Sequence, residues 1–357
     1  MNRHNLNIIK PIMLSAMFLL NIAQSNGQGF FDYGFEFSTV GTTGMNFLKI
    51  GSGARSAGLA MTGTGLVGQA ENLYHNPAGI AFLDGRDVSL ATNNWLAGSV
   101  QHGVAIAAPA GPIVWGLTLV NFRINEFEET TVFKPDGTGS MITAGDIQLG
   151  FSLARRFTDK LGIGGQVKLI QENIAEYNSN NILIDLGATY FLGWQDTRVS
   201  FVFQHFGPDI KVGQTFGDFG DALKEFLSSS DSVEVKMEPS IRMPLIFRIG
   251  IAANLLNTYK NKVLLVAELS HPIDNLEQLS YGLEYSFLNR VHARMGKRIY
   301  IGGDDDLLDS DHRATNDGQA VFGFGLNVTK NIAIDYALSP HGDAMGDIHH
   351  FSAGFKF

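Results

Sequence analysis

The stretch Asp146-Ile-Gln-Leu-Gly-Phe-Ser-Leu-Ala154 (DIQLGFSLA) decides how the chain reads. Ile147, Leu149, Phe151 and Leu153 fall on one face; Asp146, Gln148, Gly150 and Ser152 fall on the other. Side chains alternate faces in a strand and recur every three or four residues in a helix, so this is a strand. The pattern repeats in both directions. Ile182, Ile184, Leu186, Ala188, Tyr190 and Leu192 oppose a set containing Asp185, Gly187 and Thr189. Leu245, Phe247, Ile249, Ile251, Ala253 and Leu255 oppose Arg248, Gly250 and Asn254. Tyr281, Leu283, Tyr285 and Phe287 oppose Gly282, Glu284 and Ser286, and Phe322, Phe324, Leu326 and Val328 oppose Gly323, Gly325 and Asn327. The alternation predicts strands at about 88–96, 100–108, 111–122, 144–157, 161–173, 181–192, 196–206, 240–256, 261–270, 276–288, 291–300, 318–328, 331–338 and 346–357.

A soluble sandwich alternates too. Here the apolar faces run five or six residues deep, the length of strands tilted through a bilayer. The charges Asp146, Lys168, Asp185, Arg248, Glu268, Glu284 and Asp335 all fall on the polar face. On a lipid face a basic residue costs about 2–4 kcal/mol at the midplane. His102 and Lys297 break the pattern and are expected near a membrane boundary. The connections agree. Short joints carry turn formers at Pro109 to Pro112, Thr158-Asp159-Lys160 and Asn289-Arg290, while the long connections 123–143, 207–239 and 301–317 share the other parity. Barrels of the outer-membrane type pair short periplasmic turns with long external loops. The expected fold is therefore all-β: a transmembrane antiparallel β-barrel of about fourteen strands.

Composition supports this and removes other classes. Only 17% of the 357 residues are charged, against roughly 25% in a typical soluble domain. No cysteine is present, which excludes disulfide scaffolds, cysteine-ligated metals and thiol nucleophiles. A net charge of −9 argues against nucleic acid as a partner. At the N-terminus, Arg3 and Lys10 precede the apolar stretch Pro11–Ala23, the size of a signal-peptide core, and Ser25-Asn26-Gly27 offers a cleavage site. Residues 1–27 are thus expected to be a signal peptide, 28–87 a segment inside the lumen and 88–357 the barrel. Phe351, Phe355 and Phe357 share one face at the other end, and Phe355 and Phe357 read as a barrel-assembly signal.

Residues 28–87 do not alternate. They carry Leu48–Met61 (LKIGSGARSAGLAM) and Asn72–Leu83 (NLYHNPAGIAFL), rich in small residues that let backbones approach closely. Fourteen strands enclose more space than their own side chains fill, so a plug or hatch is expected there. These two blocks, with the strand pattern and the final Phe, resemble the PorV/PorQ family within the broader group of FadL-like outer-membrane barrels. The resemblance implies plug residues Gly51, Gly53, Ala54, Arg55, Asn76, Pro77, Ala78 and Gly79. It also implies an accessory, non-enzymatic role in type IX protein secretion, binding exported cargo or the attachment machinery. Its FadL-like side implies instead a channel for hydrophobic molecules, with the N-terminal segment as gate. Such sequences usually place two acids before the Asn-Pro; here Glu71 stands alone.

Other motifs read as structure. Gly63-Thr64-Gly65-Leu66-Val67-Gly68 matches a dinucleotide fingerprint but lacks the preceding buried strand and following helix, so it is assigned to the plug and no cofactor is expected. The acidic run at 304–311 lacks the spacing of a calcium loop and reads as a solvated external loop. His349 and His350 point to opposite faces and cannot share a metal. Phe219, Leu223, Phe226 and Leu227 recur at helical spacing in the long loop, as a lid helix or a surface for a partner protein. The expected partners are outer-membrane lipids, the barrel-assembly machinery, secreted cargo and, on the channel reading, a hydrophobic ligand.

Overall fold

A computed structural model describes residues 41–175, 177–211, 240–301, 320–341 and 346–357. The signal-peptide segment, Phe219, Leu223, Phe226 and Leu227, and the acidic run 304–311 lie outside the described residues. The strands, in chain order, are β1 (Asp87–Asn94), β2 (Val100–Ala110), β3 (Ile113–Glu128), β4 (Met141–Arg156), β5 (Leu161–Ile174), β6 (Tyr177–Phe191), β7 (Arg198–Phe206), β8 (Ile210–Lys211), β9 (Ser240–Ile241), β10 (Ile246–Asn257), β11 (Asn261–Pro272), β12 (Glu277–Phe287), β13 (Val291–Ile301), β14 (Ala320–Asn327), β15 (Ile332–Ser339) and β16 (Ile348–Lys356). Among the described residues the strands pair antiparallel, and fourteen of them close on themselves through β1 and β16, while β8 and β9 form a separate ribbon. Next to that closure, the backbone of Phe357 pairs with Arg86 in both directions, at 2.9 and 3.2 Å.

The alternation faces as the sequence indicates. Leu149, Phe151 and Leu153 are each close to half exposed on the outside, and Ser152, Gln166 and Asp185 are buried in the lumen. A continuous apolar belt of this kind would be far too large a patch for a water-facing surface. A closed barrel satisfies its backbone groups internally, so the belt faces lipid and the protein is an integral barrel of the outer membrane. No helix among the described residues is long and apolar enough to cross a membrane. The short joints 111–112, 157–160, 192–197, 258–260, 288–290 and 328–331 mark the periplasmic end, and the long connections rise from the other. His102 is the third residue of β2 and Lys297 sits in the outer half of β13, as their exceptional polarity suggests.

Three local departures from the sequence pattern have physical causes. β3 and β4 run on to Glu128 and Met141, past a register shift between Ile124 and Phe127, so much of the stretch 123–143 is hairpin and not loop. The strand expected from residue 240 begins at Ile246, because Pro244 has no N–H to donate to a ladder. Finally, a register shift between Asn254 and Leu256 turns Leu256 outward, where strict alternation would have placed Leu255.

Candidate functional site

Residues 43–83 fill the lumen as a chain of short turns: Asn46–Lys49, Ala54–Ala57, Ala70–Tyr74 and Pro77–Phe82. This hatch meets the wall through apolar contacts as well as polar ties, Leu73, Ile80 and Ala81 packing on Ala105, Ala107, Val114 and Ala154, and it is built on close backbone approach. Gly53 adopts φ +105° and packs against Glu71, a conformation and a contact that a side chain would forbid. The wall reciprocates with glycine. Gly164 and Gly187 receive the Asn76–Ala78 turn, Gly250 receives Thr64 and Gly65, Gly282 receives Leu59, and Gly323 meets Gly58. Of the lumenal glycines noted in the sequence, Gly187, Gly250, Gly282 and Gly323 are thus docking positions for the hatch, while Gly150 and Gly325 make room for wall side chains.

Each block of the plug motif has a defined partner. The Gly51 carbonyl accepts from Asn93 Nδ2 (3.0 Å), and the Ala54 N–H donates to Ser352 Oγ (3.3 Å). Arg55 forms a fork on Glu284 (2.8 and 2.9 Å) and donates a third bond to Gln69 (2.6 Å). Arg294 shares Glu284 (2.6 Å) and bonds Asp335 (2.6 Å), closing a buried four-member network of two cations and two anions. Asn76 is fully buried; its Nδ2 donates to the Thr64 carbonyl (2.9 Å) and to Thr189 (3.1 Å), and its Oδ1 accepts from the Ala78 N–H (2.9 Å). Pro77 opens the last turn, where a missing N–H costs nothing. The Gly79 carbonyl accepts from the Gly68 N–H (3.0 Å), so the fingerprint-like run closes on the Asn-Pro block.

The central ties involve residues whose partnership local sequence does not display. Glu268 accepts from the Thr64 N–H (3.0 Å) and pairs with Arg248 (3.1 Å). Lys168 and Asp185 form a buried pair at 2.5 Å, and Lys49 pairs with Asp274 at 2.6 Å. The acids and bases of the polar face were visible as a pattern, but the bonds of Glu284 to Arg55 and of Glu268 to Thr64 join residues 229 and 204 positions apart, and Asp274, the partner of Lys49, lies between two of the expected strands. Within the hatch, burial, together with Asp335, pushes Glu71 up to about 7, only partly offset by Arg55 and the Ser56 N–H. Burial pushes His75 down to about 3, helped by Arg248, so it is neutral where it bonds Ser56 Oγ (2.9 Å).

The hatch separates two unlike spaces. On the outer side Met45, Phe47 and Leu48 of the hatch join Phe122, Ile170, Leu183, Ile210 and Met243 in an apolar cluster, with Ile50 and Trp95 against it. A water-sized pocket of about 30 Å³ below it is lined by Lys168, His205 and Arg248. Beside this cluster β6 pairs with β7 only as far as Ile184 and Phe206; nearer its outer end Asn181 Nδ2 donates to the Pro208 carbonyl (2.8 Å), on the segment that leads into β8. On the periplasmic side lies a larger polar cavity of about 380 Å³.

No family model and no curated protein matches the sequence. Solved structures do match in fold. A FadL homologue of Pseudomonas aeruginosa superposes with a TM-score of 0.56 at 12% identity, covering 86% of this chain and 98% of that one. The toluene transporter TbuX of Ralstonia pickettii gives 0.55 at 13% identity over 85% and 98%. The toluene transporter TodX of Pseudomonas putida gives 0.55 at 12% identity over 90% and 98%. The fold is that of FadL-like outer-membrane barrels. This agrees with the broader half of the sequence resemblance; the PorV/PorQ half, whose specific residues lie in 48–83, is supported by no comparison.

Proposed function

We propose that the protein is a non-enzymatic outer-membrane channel for small hydrophobic compounds, in which the hatch gates the lumen. The observation that carries this reading is the apolar cluster around Phe47, Leu48, Phe122 and Ile170, set at the outer mouth directly on the hatch. An apolar solute reaching that cluster leaves water, and the interrupted β6–β7 ladder beside it offers a route from or into the membrane. The named transporters of the same fold support the class of solute. Gly51, Gly53, Ala54, Arg55, Asn76, Pro77, Ala78 and Gly79 are the parts that hold the gate shut and reset it. Phe355 and Phe357 serve assembly, and lipids are the constant partners.

The test is uptake of radiolabelled toluene by proteoliposomes carrying the purified barrel. Saturable uptake that falls at least fivefold in Phe122→Asp supports the channel. Background uptake, with secreted proteins co-purifying from native membranes, would replace it by the accessory secretion role that the Leu48–Met61 and Asn72–Leu83 blocks suggest.

A further inference from the structure

The periplasmic cavity has a charge pattern that the gating role does not use. Its volume of about 380 Å³ falls in the range of small-molecule sites. Arg55, Glu284, Arg294 and Asp335 line it but neutralise one another. What remains on the lining is Arg198, Lys262, Lys330 and Lys356 against Glu71 and Asp87. Glu71 is held partly protonated by burial, and Asp87 already accepts from the Ala70 N–H (3.0 Å). The cavity is therefore cationic in a protein of net charge −9.

Arg198 stands out among these cations. It is 7% exposed, its Nε donates to the Gly65 carbonyl (2.5 Å), and its Nη1 reaches only the Asp196 carbonyl at 3.5 Å. The Asp196 carboxylate accepts from Asn254 (3.1 Å), and it and Glu284 act on Arg198 through space without forming an ion pair. Among the described residues no carboxylate pairs with Arg198, and its Nη2 donates to none of them. A buried guanidinium is strongly favoured by an anion that accepts from two of its N–H groups. Val67 and Leu264 supply an apolar surface on the same lining.

We infer that this vestibule binds small organic anions, the carboxylate taken by Arg198 and Lys262 and the hydrocarbon part lying against Val67 and Leu264. The inference stands apart from the uptake reading, since it concerns equilibrium binding at the opposite end of the barrel. The full chain in an uncharged detergent is titrated calorimetrically with benzoate and, separately, with benzyl alcohol. Benzoate is expected to saturate at one site per barrel and to bind at least tenfold more tightly than the alcohol. Lys262→Gln, on an exposed residue, should weaken benzoate about fivefold, and Arg198→Gln at least tenfold. Equal binding of the two probes, absence of saturation, or benzoate binding indifferent to Lys262→Gln would overturn it. Failure of toluene uptake with benzoate binding intact would remove the channel reading alone.

Discussion

A Cβ on Gly164 would lie 2.6 Å from the backbone of Pro77, whereas one on its neighbour Gly165 would meet the Leu186 side chain at 3.5 Å. The first contact is with backbone that has no rotamer to change; the second is ordinary packing on the outer wall. Gly164→Val should therefore unseat the Asn76–Ala78 turn at a cost of about 1–3 kcal/mol, while Gly165→Ala should be close to neutral. The check is the temperature at which the folded band converts to the unfolded band on SDS gels, with a clear drop expected for the first variant only. Arg55 makes a second test. In Arg55→Gln, Glu284 keeps Arg294 as partner, so the loss is smaller than the 3–5 kcal/mol or so of a stranded buried charge. Protease should cut the hatch of Arg55→Gln several-fold faster than that of the parent under native conditions.

The hatch as an element is held by polar ties and close approach as well as by apolar burial, and one buried acid among those ties makes it sensitive to pH. Glu71 has its pKa raised from 4.5 to about 7, so its charged form is disfavoured when the hatch is seated. A folded-state value above the unfolded one means that the stabilising contribution is complete below about pH 4.5 and lost as pH rises through about 7. Backbone hydrogen exchange in residues 52–58, corrected for the intrinsic rate, should show weaker protection at pH 8 than at pH 5. Glu71→Gln should flatten that difference; an equal pH response in the variant would place the sensitivity elsewhere. This element was only half legible in the sequence. Small-residue blocks marked a segment of close approach, and Asn76-Pro77 marked a turn. The anchors Glu284 and Glu268 were visible only as polar-face charges, because a strand pattern reports which side a residue faces and not what it meets across a lumen, and Asp274, between two expected strands, carried no signal at all.

At the scale of the whole molecule the barrel was readable almost strand by strand, because a bilayer outside and a wet lumen inside impose one alternation on every wall segment. The departures occur where that constraint ends: in the β3–β4 hairpin beyond the belt, at Pro244, and at the bulge near Leu256. The same logic separates wall from filling. Every barrel strand is hydrogen-bonded to two neighbours, and closure through β1 and β16 draws on no hatch residue. A chain lacking residues 41–83 should therefore still insert and still shift on heating. Its lumen, however, would be left lined by glycine and by Glu284, Arg294, Lys168 and Asp185. These groups would take up water, and fourteen strands enclose more room than side chains can fill. Planar-bilayer recording should show steady open-channel conductance for the truncated barrel and brief or no openings for the complete one. A truncated barrel that is heat-modifiable yet silent would mean that the wall collapses inward, and that the hatch supports the lumen and does not merely block it.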